Sequence, residues 1–290
     1  MKDYQKHLDA FDAHLTLKNF SKATRYAYGC ALRQFLVYRL EQGATIDEFT
    51  QQQARSYILY RHHRNLAWQT INGDYSALFK FYKQVLNLEW DVDHIPRPRK
   101  ERSLPTLLSQ QSVQKIIEHG VVFKHQVFIT FLYATGLRLS EALNLRLADI
   151  DGERLQIRIV KGKGAKDRYV AIPEALLFLL RDYFRAYRPK EYLFNGKTSG
   201  RPWAQRSAQW AITSARKAAG VLQQASPHVF RNCFATHHLE AGTNLVYLKE
   251  QLGHKNLKTT AKYIRLCKRY QLQVNHPIAN MKIVYRPTIR

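Results

Sequence analysis

The sequence predicts a mainly α-helical chain of two domains, the second carrying a small antiparallel β-sheet. Three observations predict it. Apolar residues recur at spacings of three and four through most of the 290 residues. A single pair of short alternating segments flanks a glycine turn between 155 and 172. A stretch at 94–102 with two prolines and four basic side chains breaks the pattern after the first hundred residues, because residues before proline are pushed away from helix.

In the first domain Tyr4, Leu8, Phe11 and Leu15 form the stripe of an amphipathic helix. Ser21 caps a second helix running through Ala27, Leu32, Phe35 and Leu36, which Gly43 ends. A third helix spans about Thr50 to His63 and a fourth about Trp68 to Leu86. Four helices with short connections pack one small core. The stretch 94–103 then reads as an interdomain linker with little to bury.

The second domain opens with a helix capped near Ser109, followed by one from about His125 to Ala134 that stops at Thr135-Gly136. Another is expected from about Arg138 to Arg146. Two strands follow, Leu155–Val160 and Arg168–Ile172, joined through Gly162-Lys163-Gly164. Helices are expected at about 174–187, 204–219, 227–241, 244–252 and 256–268. The tail 270–290 has no clear period.

Charge gives the first functional clue. There are 46 Lys plus Arg against 22 Asp plus Glu, a formal net charge of +24. Such a surplus disfavours a compact state unless a polyanion neutralises it, and nucleic acid is the usual one. Residues 1–98 carry 13 basic and 10 acidic side chains, and residues 99–290 carry 33 and 12. The polyanion-facing charge is therefore expected mainly in the second domain. Cys30, Cys233 and Cys267 are far apart and odd in number, which supports neither a disulfide framework nor a zinc site. No apolar run reaches membrane-spanning length, no basic amphipathic anchor stands out, and the N-terminus is no signal peptide, so a cytoplasmic, nucleoid-associated location is expected.

Four segments stand out: TGLRLSE (135–141), KGKGAKDR (161–168), PHVFR (227–231) and LGHKNLKTTAKYIR (252–265). Each alone has an ordinary explanation. A lysine in a glycine turn is usually a solvated hairpin tip, and a tyrosine at helical spacing is usually core. Gly162-Lys163-Gly164 lacks the G-x-x-x-x-G-K-[ST] spacing of a nucleotide loop. Asp149, Asp151 and Glu153 bunch just ahead of a strand as turn residues, so no metal or cofactor is expected.

Taken in order, Arg138, Lys163, His228, Arg231, His254 and Tyr263 carry the pattern of a known family. The stretch 104–290 closely resembles the catalytic domain of the tyrosine recombinases, the phage-integrase family. Thr-Gly-Leu-Arg-x-Ser-Glu stands at Thr135 to Glu141, the hairpin lysine at Lys163, and His-x-x-Arg at His228 and Arg231. Leu-Gly-His stands at Leu252 to His254, with the tyrosine nine residues on at Tyr263. Asn232 stands where many relatives have a second histidine. The resemblance implies a helical, SAM-like core-binding domain at 1–93, a linker at 94–103 and a catalytic domain at 104–290 with a C-terminal tail at 270–290. It also implies a site-specific recombinase that acts on double-stranded DNA sites as a homotetramer, without a cofactor. Such an enzyme cuts and rejoins strands through a 3′-phosphotyrosine, in integration, excision or resolution. No domain ahead of residue 1 of the arm-site kind, and no added helix of the integron kind, is expected. The pattern is therefore most similar to simple Xer-type or mobile-element recombinases. A type IB topoisomerase shares the chemistry, and a non-catalytic DNA-binding protein could share the fold. The helical unit ahead of the linker favours a recombinase, and the intact tyrosine and arginines favour an active one.

The chemistry suits these residue types. Phosphoryl transfer needs a nucleophile, charge stabilisation on the non-bridging oxygens and an acid for the leaving oxygen. Tyr263 supplies a hydroxyl whose phenolate is favoured by nearby guanidinium groups. Arg138 and Arg231 clamp phosphate oxygens through paired N–H donors, geometry that lysine cannot reproduce. His228 and His254 donate to the phosphate or relay a proton, and Lys163 reaches the leaving 5′ oxygen. Glu141 shares a helix face with Arg138 and could orient a guanidinium or a histidine. His237 and His238 read as structural or solvent-facing, and Cys267 as a packed or exposed thiol. The tail holds Val274, Ile278, Met281, Ile283, Val284 and Tyr285, too much apolar surface to leave free. It docks either on its own domain or in trans on a neighbouring protomer.

Overall fold

The computed structural model describes residues 4–45, 47–99, 105–160, 167–198 and 200–267. Lys163 and the tail 270–290 lie outside the described residues. The chain divides into two compact units, residues 1–103 and 104–290.

The first unit holds four helices: α1 (Gln5–Leu17), α2 (Lys22–Glu41), α3 (Gln51–His63) and α4 (Trp68–Gln84). Local side chains set two of the starts. Ser21 Oγ accepts from the Thr24 amide, and Thr50 and Gln53 form a reciprocal capping box at α3. The stripe Tyr4, Leu8, Phe11, Leu15 is buried and joins Leu32, Phe35 and Leu36 of α2 and Leu78, Phe81 and Tyr82 of α4 in one core. Ala27 does not belong to the buried face of α2; it is exposed. The linker begins later than the sequence suggests. Ile95 is 1 % exposed and packs into the helical core. Arg97 donates to Asn72 and Ser76, and the Trp68 indole donates to the Pro98 carbonyl. Two prolines stop a helix but leave an extended segment free to dock.

The second unit contains α5 (Gln110–Glu118), α6 (Phe123–Thr135), α7 (Leu139–Leu143), β1 (Ile150–Asp151), β2 (Gln156–Ile159) and β3 (Arg168–Ala171). These are followed by α8 (Glu174–Tyr187), α9 (Gln205–Ala218), α10 (Pro227–Glu240), α11 (Leu245–Leu252) and α12 (Leu257–Ala261). The sheet is antiparallel in the order β1-β2-β3, with Ile157 opposite both Ile150 and Val170. The sequence suggests only two strands. Asp151 lies in the two-residue strand β1 and Asp149 in a short 3₁₀ turn before it, so the acidic bunch is partly sheet edge. A strand that short has no alternation to read. The main core packs α5, α6, α8 and α9 against the buried face of the sheet.

Two further elements depart from expectation, both near the functional residues. The helix expected over 138–146 is only α7, and Arg138 is its N-cap rather than part of it. The single helix expected over 256–268 is broken: α12 ends at Ala261 and a 3₁₀ turn covers Ile264–Leu266. Tyr263 lies between them, its amide bonded to the Thr260 carbonyl three residues back. That tighter winding accompanies insertion of the Tyr263 ring into a satellite core with Phe234, Leu248 and Leu252. Among the described residues no helix is long and apolar enough to cross a membrane.

Candidate active site

Two glycine corners place the first functional groups. Gly136 ends α6 and Gly253 ends α11, both in the left-handed region at φ +61° and +62°. A side chain at Gly136 would also strike the Phe234 ring at 2.4 Å. The chain turns sharply at each, bringing Arg138 and His254 out of their helices toward α10. Ser226 caps α10, with its hydroxyl accepting from the Val229 amide and Pro227 in the first turn. His228 therefore sits in the first turn, exposed, and Arg231 one turn on, 3 % exposed.

Glu141 is the hub of one side of the site. Its Oε1 accepts from Arg138 Nη1 at 2.7 Å and Arg168 Nη1 at 3.0 Å. Its Oε2 accepts from the Arg138 amide at 3.0 Å and Arg168 Nη2 at 2.8 Å. Burial alone would raise the Glu141 pKa. The Arg168 bonds, the Arg138 amide and the charges of both guanidiniums outweigh it and hold the carboxyl at about 2. Glu141 is thus ionised at any working pH.

Arg231 anchors the other side. Its Nη1 donates to the Gly136 carbonyl at 2.8 Å, and its Nη2 to the Leu252 carbonyl at 2.6 Å. The same Nη2 lies 3.1 Å from His254 Nε2. A guanidinium has only donors, so Nε2 is the acceptor and the imidazole proton sits on Nδ1. There it is donated to Thr260 Oγ at 2.8 Å. Burial first, then the charges of Arg231, Arg138, Lys262 and Arg168, push the His254 pKa down to about 4, so this neutral tautomer holds at pH 7. Burial and the neighbouring Arg138 lower Arg231 to about 10, which leaves it charged.

Tyr263 is fully buried, its ring nearly parallel to His254 with centroids 6.2 Å apart. Its hydroxyl makes no hydrogen bond of normal geometry among the described residues. Burial raises the phenol pKa, and the Arg231 and Arg138 guanidiniums oppose that rise. Lys262 Nζ lies over the ring, 4.8 Å from its centroid. His228 is lowered by partial desolvation and then by Lys262, Arg231 and Arg138, so it belongs to the same field of positive charge.

Of the six residues singled out in the sequence, Arg138, His228, Arg231, His254 and Tyr263 come together, and Lys163 is not among the described residues. Arg168, Gln251 and Thr260 also enter the site, and nothing local in the sequence marks them. Arg168 closes the KGKGAKDR segment and opens β3, and its charge at a position 14 % exposed is visible only once the fold is known. His237 and His238 are structural: one bonds the Tyr133 hydroxyl at 2.8 Å, the other lies 3.1 Å from Thr243 Oγ. Asn232 is buried, and its Oδ1 has no partner among the described residues. Cys267 is a packed thiol that donates to the Thr236 and Tyr263 carbonyls. Among the described residues no three His, Cys, Asp or Glu side chains gather as metal ligands would.

Comparison with known proteins places this geometry. Residues 106–269 match the phage integrase family, and residues 7–92 match the phage integrase N-terminal SAM-like domain. The chain is 36 % identical to "Putative integrase/recombinase y4qK" of Sinorhizobium fredii, over 87 % of this chain and 82 % of that protein. It is 28 % identical to the tyrosine recombinase XerC of Staphylococcus haemolyticus, over 85 % of this chain and 87 % of that one. Among solved structures, XerA recombinase aligns at 25 % identity with a TM-score of 0.54, covering 93 % of this chain and 96 % of that chain. XerH bound to its difH substrate in a post-cleavage complex aligns at 20 % identity with a TM-score of 0.69, covering 88 % and 79 %. With both units matched and more than half the chain inside the catalytic family model, the chain belongs to the phage integrase family of tyrosine recombinases, enzymes that cut and rejoin DNA at specific sites.

Proposed function

We propose that Tyr263 is the nucleophile of the strand-cutting step, that Arg138 and Arg231 hold the scissile phosphate with His228 beside them, and that His254 fixes the Arg231 guanidinium. The observation that carries this reading is the convergence of these five side chains from three separate segments of the sequence. The Tyr263 oxygen attacks phosphorus as its proton passes to His228, whose lowered pKa leaves it free to accept it and relay it to solvent. The bond from phosphorus to the 5′ oxygen breaks, and that oxygen takes up a proton, supplied by Lys163. A 3′-phosphotyrosine remains, and a 5′ hydroxyl of the partner strand reverses the step. One phosphodiester is exchanged for another, so no ATP is consumed. The test is covalent capture of a nicked DNA duplex, selected by the chain from a randomised pool. A protein–DNA adduct is expected in EDTA without ATP. Strict dependence on added magnesium or nucleotide for cutting would count against the mechanism.

The partner is double-stranded DNA in the nucleoid, drawn by the charge surplus of residues 99–290 and gripped in part by the helical first domain. The active assembly is a homotetramer on two sites, with the tail 270–290 docked in trans on the next protomer. Head-to-tail exchange of that kind closes a ring. One observation supports docking of such a tail on a catalytic unit. An apolar groove of about 540 Å³ beside α10, lined by Tyr133, Ile172, Phe234, His237 and Tyr247, suits the six apolar side chains of a tail. Deleting residues 270–290 is expected to leave single-site binding intact in a gel-shift assay while two-site synapsis and strand exchange fail. A truncated chain that recombines two sites at the normal rate would exclude docking in trans.

A further inference from the structure

The Arg168 guanidinium is as fully engaged as that of Arg231, and nothing in the chemistry above uses it. Two of its nitrogens make parallel bonds to Glu141, and its Nε donates to the Gln251 carbonyl at 3.3 Å. It lies flat against the Gly253 corner: a Cβ there would sit 2.8–2.9 Å from its Nε, Cδ and Cζ. Gln251 adds a second tie, its Oε1 accepting from the Ala171 amide of β3. One side chain thus joins β3, the start of α7 and the turn that carries His254.

A buried ion pair is weak evidence of stabilisation, because desolvation offsets the attraction. The arrangement makes better sense as control of charge. A carboxylate paired with Arg138 alone would cancel much of the charge that Arg138 offers to a phosphate. Glu141 has to be present, because its two bonds to the Arg138 amide and Nη1 fix that side chain over the N-terminus of α7. Arg168 resolves the conflict. It occupies one lone pair on each carboxylate oxygen, and the trio Arg138–Glu141–Arg168 keeps a net positive charge.

We propose that Arg168 is a positioning residue for the phosphate chemistry. It engages Glu141 so that Arg138 stays fixed yet charged, and it locks Arg138 to the Gly253–His254 corner. This inference rests on the reading that Arg138 meets the scissile phosphate.

The test compares two nicked duplexes of the same selected sequence. One carries an ordinary scissile phosphate. The other carries a methylphosphonate, which lacks the negative charge that an arginine would counter. Single-turnover adduct formation is measured for the wild-type chain, Arg168→Gln, Arg168→Lys and, as a benchmark, Arg138→Ala. The ratio of rates on the two substrates cancels any inactive fraction of a variant. Losing a direct donor to a developing oxyanion costs about 100–1000-fold, so indirect loss through Arg168→Gln should cost about 10–100-fold on phosphate and under about threefold on methylphosphonate. Arg168→Lys keeps the charge but not the paired geometry and should fall between Arg168→Gln and wild type. Equal losses on both substrates would overturn the proposal, leaving Arg168 a structural residue, and so would no loss on either. A wild-type chain that binds the duplex without forming an adduct would refute the underlying function instead, and the inference with it.

Discussion

Tyr263→Phe is expected to abolish covalent attachment to a nicked site while leaving equilibrium binding nearly unchanged. The substitution removes one oxygen, the atom assigned to attack phosphorus. The ring itself is retained, so its packing against Phe234, Leu248 and Leu252 and its parallel contact with His254 should survive. The structure adds a second expectation. The Tyr263 hydroxyl is buried without a hydrogen bond of normal geometry among the described residues. Burying such a group costs about 1–3 kcal/mol, so its loss should leave the thermal midpoint unchanged or raise it. Denaturing gels read the adduct, fluorescence anisotropy the binding, and a melting curve the stability. A phenylalanine variant that still yields the covalent band would end the assignment of Tyr263. A variant that loses both the band and its fold would show that the hydroxyl has a structural partner.

Arg138→Ala and Arg231→Ala should each slow cleavage by about 100–1000-fold, the usual cost of one preorganised donor at a developing oxyanion, with a much smaller effect on binding. Their consequences for stability should differ. The Arg138 side chain is 29 % exposed, and removing it leaves Glu141 paired with Arg168. Arg231 is 3 % exposed and satisfies the Gly136 carbonyl, the Leu252 carbonyl and His254 Nε2 together. Truncation there strands buried acceptors at about 1–3 kcal/mol each, so Arg231→Ala should melt well below Arg138→Ala. Loss of that donor also removes the partner that fixes the His254 tautomer and a charge that lowers its pKa. The acid limb of the cleavage profile should therefore move upward in Arg231→Ala. Single-turnover rates against pH, beside binding isotherms, measure all of this. Equal losses in binding and rate would make both arginines ordinary phosphate anchors.

The features legible in the sequence are those that local chemistry decides. Ser21, Thr50, Ser109 and Ser226 each accept the backbone N–H three residues on, so the starts of α2, α3, α5 and α10 could be read in place. The stripe from Tyr4 to Leu15 and the glycine stop at Gly136 are equally local. The ordered functional residues are legible because each stands in its own short motif. What only the tertiary structure decided is how distant segments share partners. Arg168 and Gln251 lie 83 residues apart and meet through one hydrogen bond. The strand β1 is too short to show a period and exists because β2 pairs with it. Ile95 follows a helical domain in a proline-rich stretch, and only the cavity left by that domain shows that it is core. The turn that buries Tyr263 depends on the satellite core beneath it, which is assembled from α10 and α11. Periodicity and caps act within a few residues of chain. The charge state of Glu141, the tautomer of His254 and the setting of Arg138 depend on groups brought together by long-range packing.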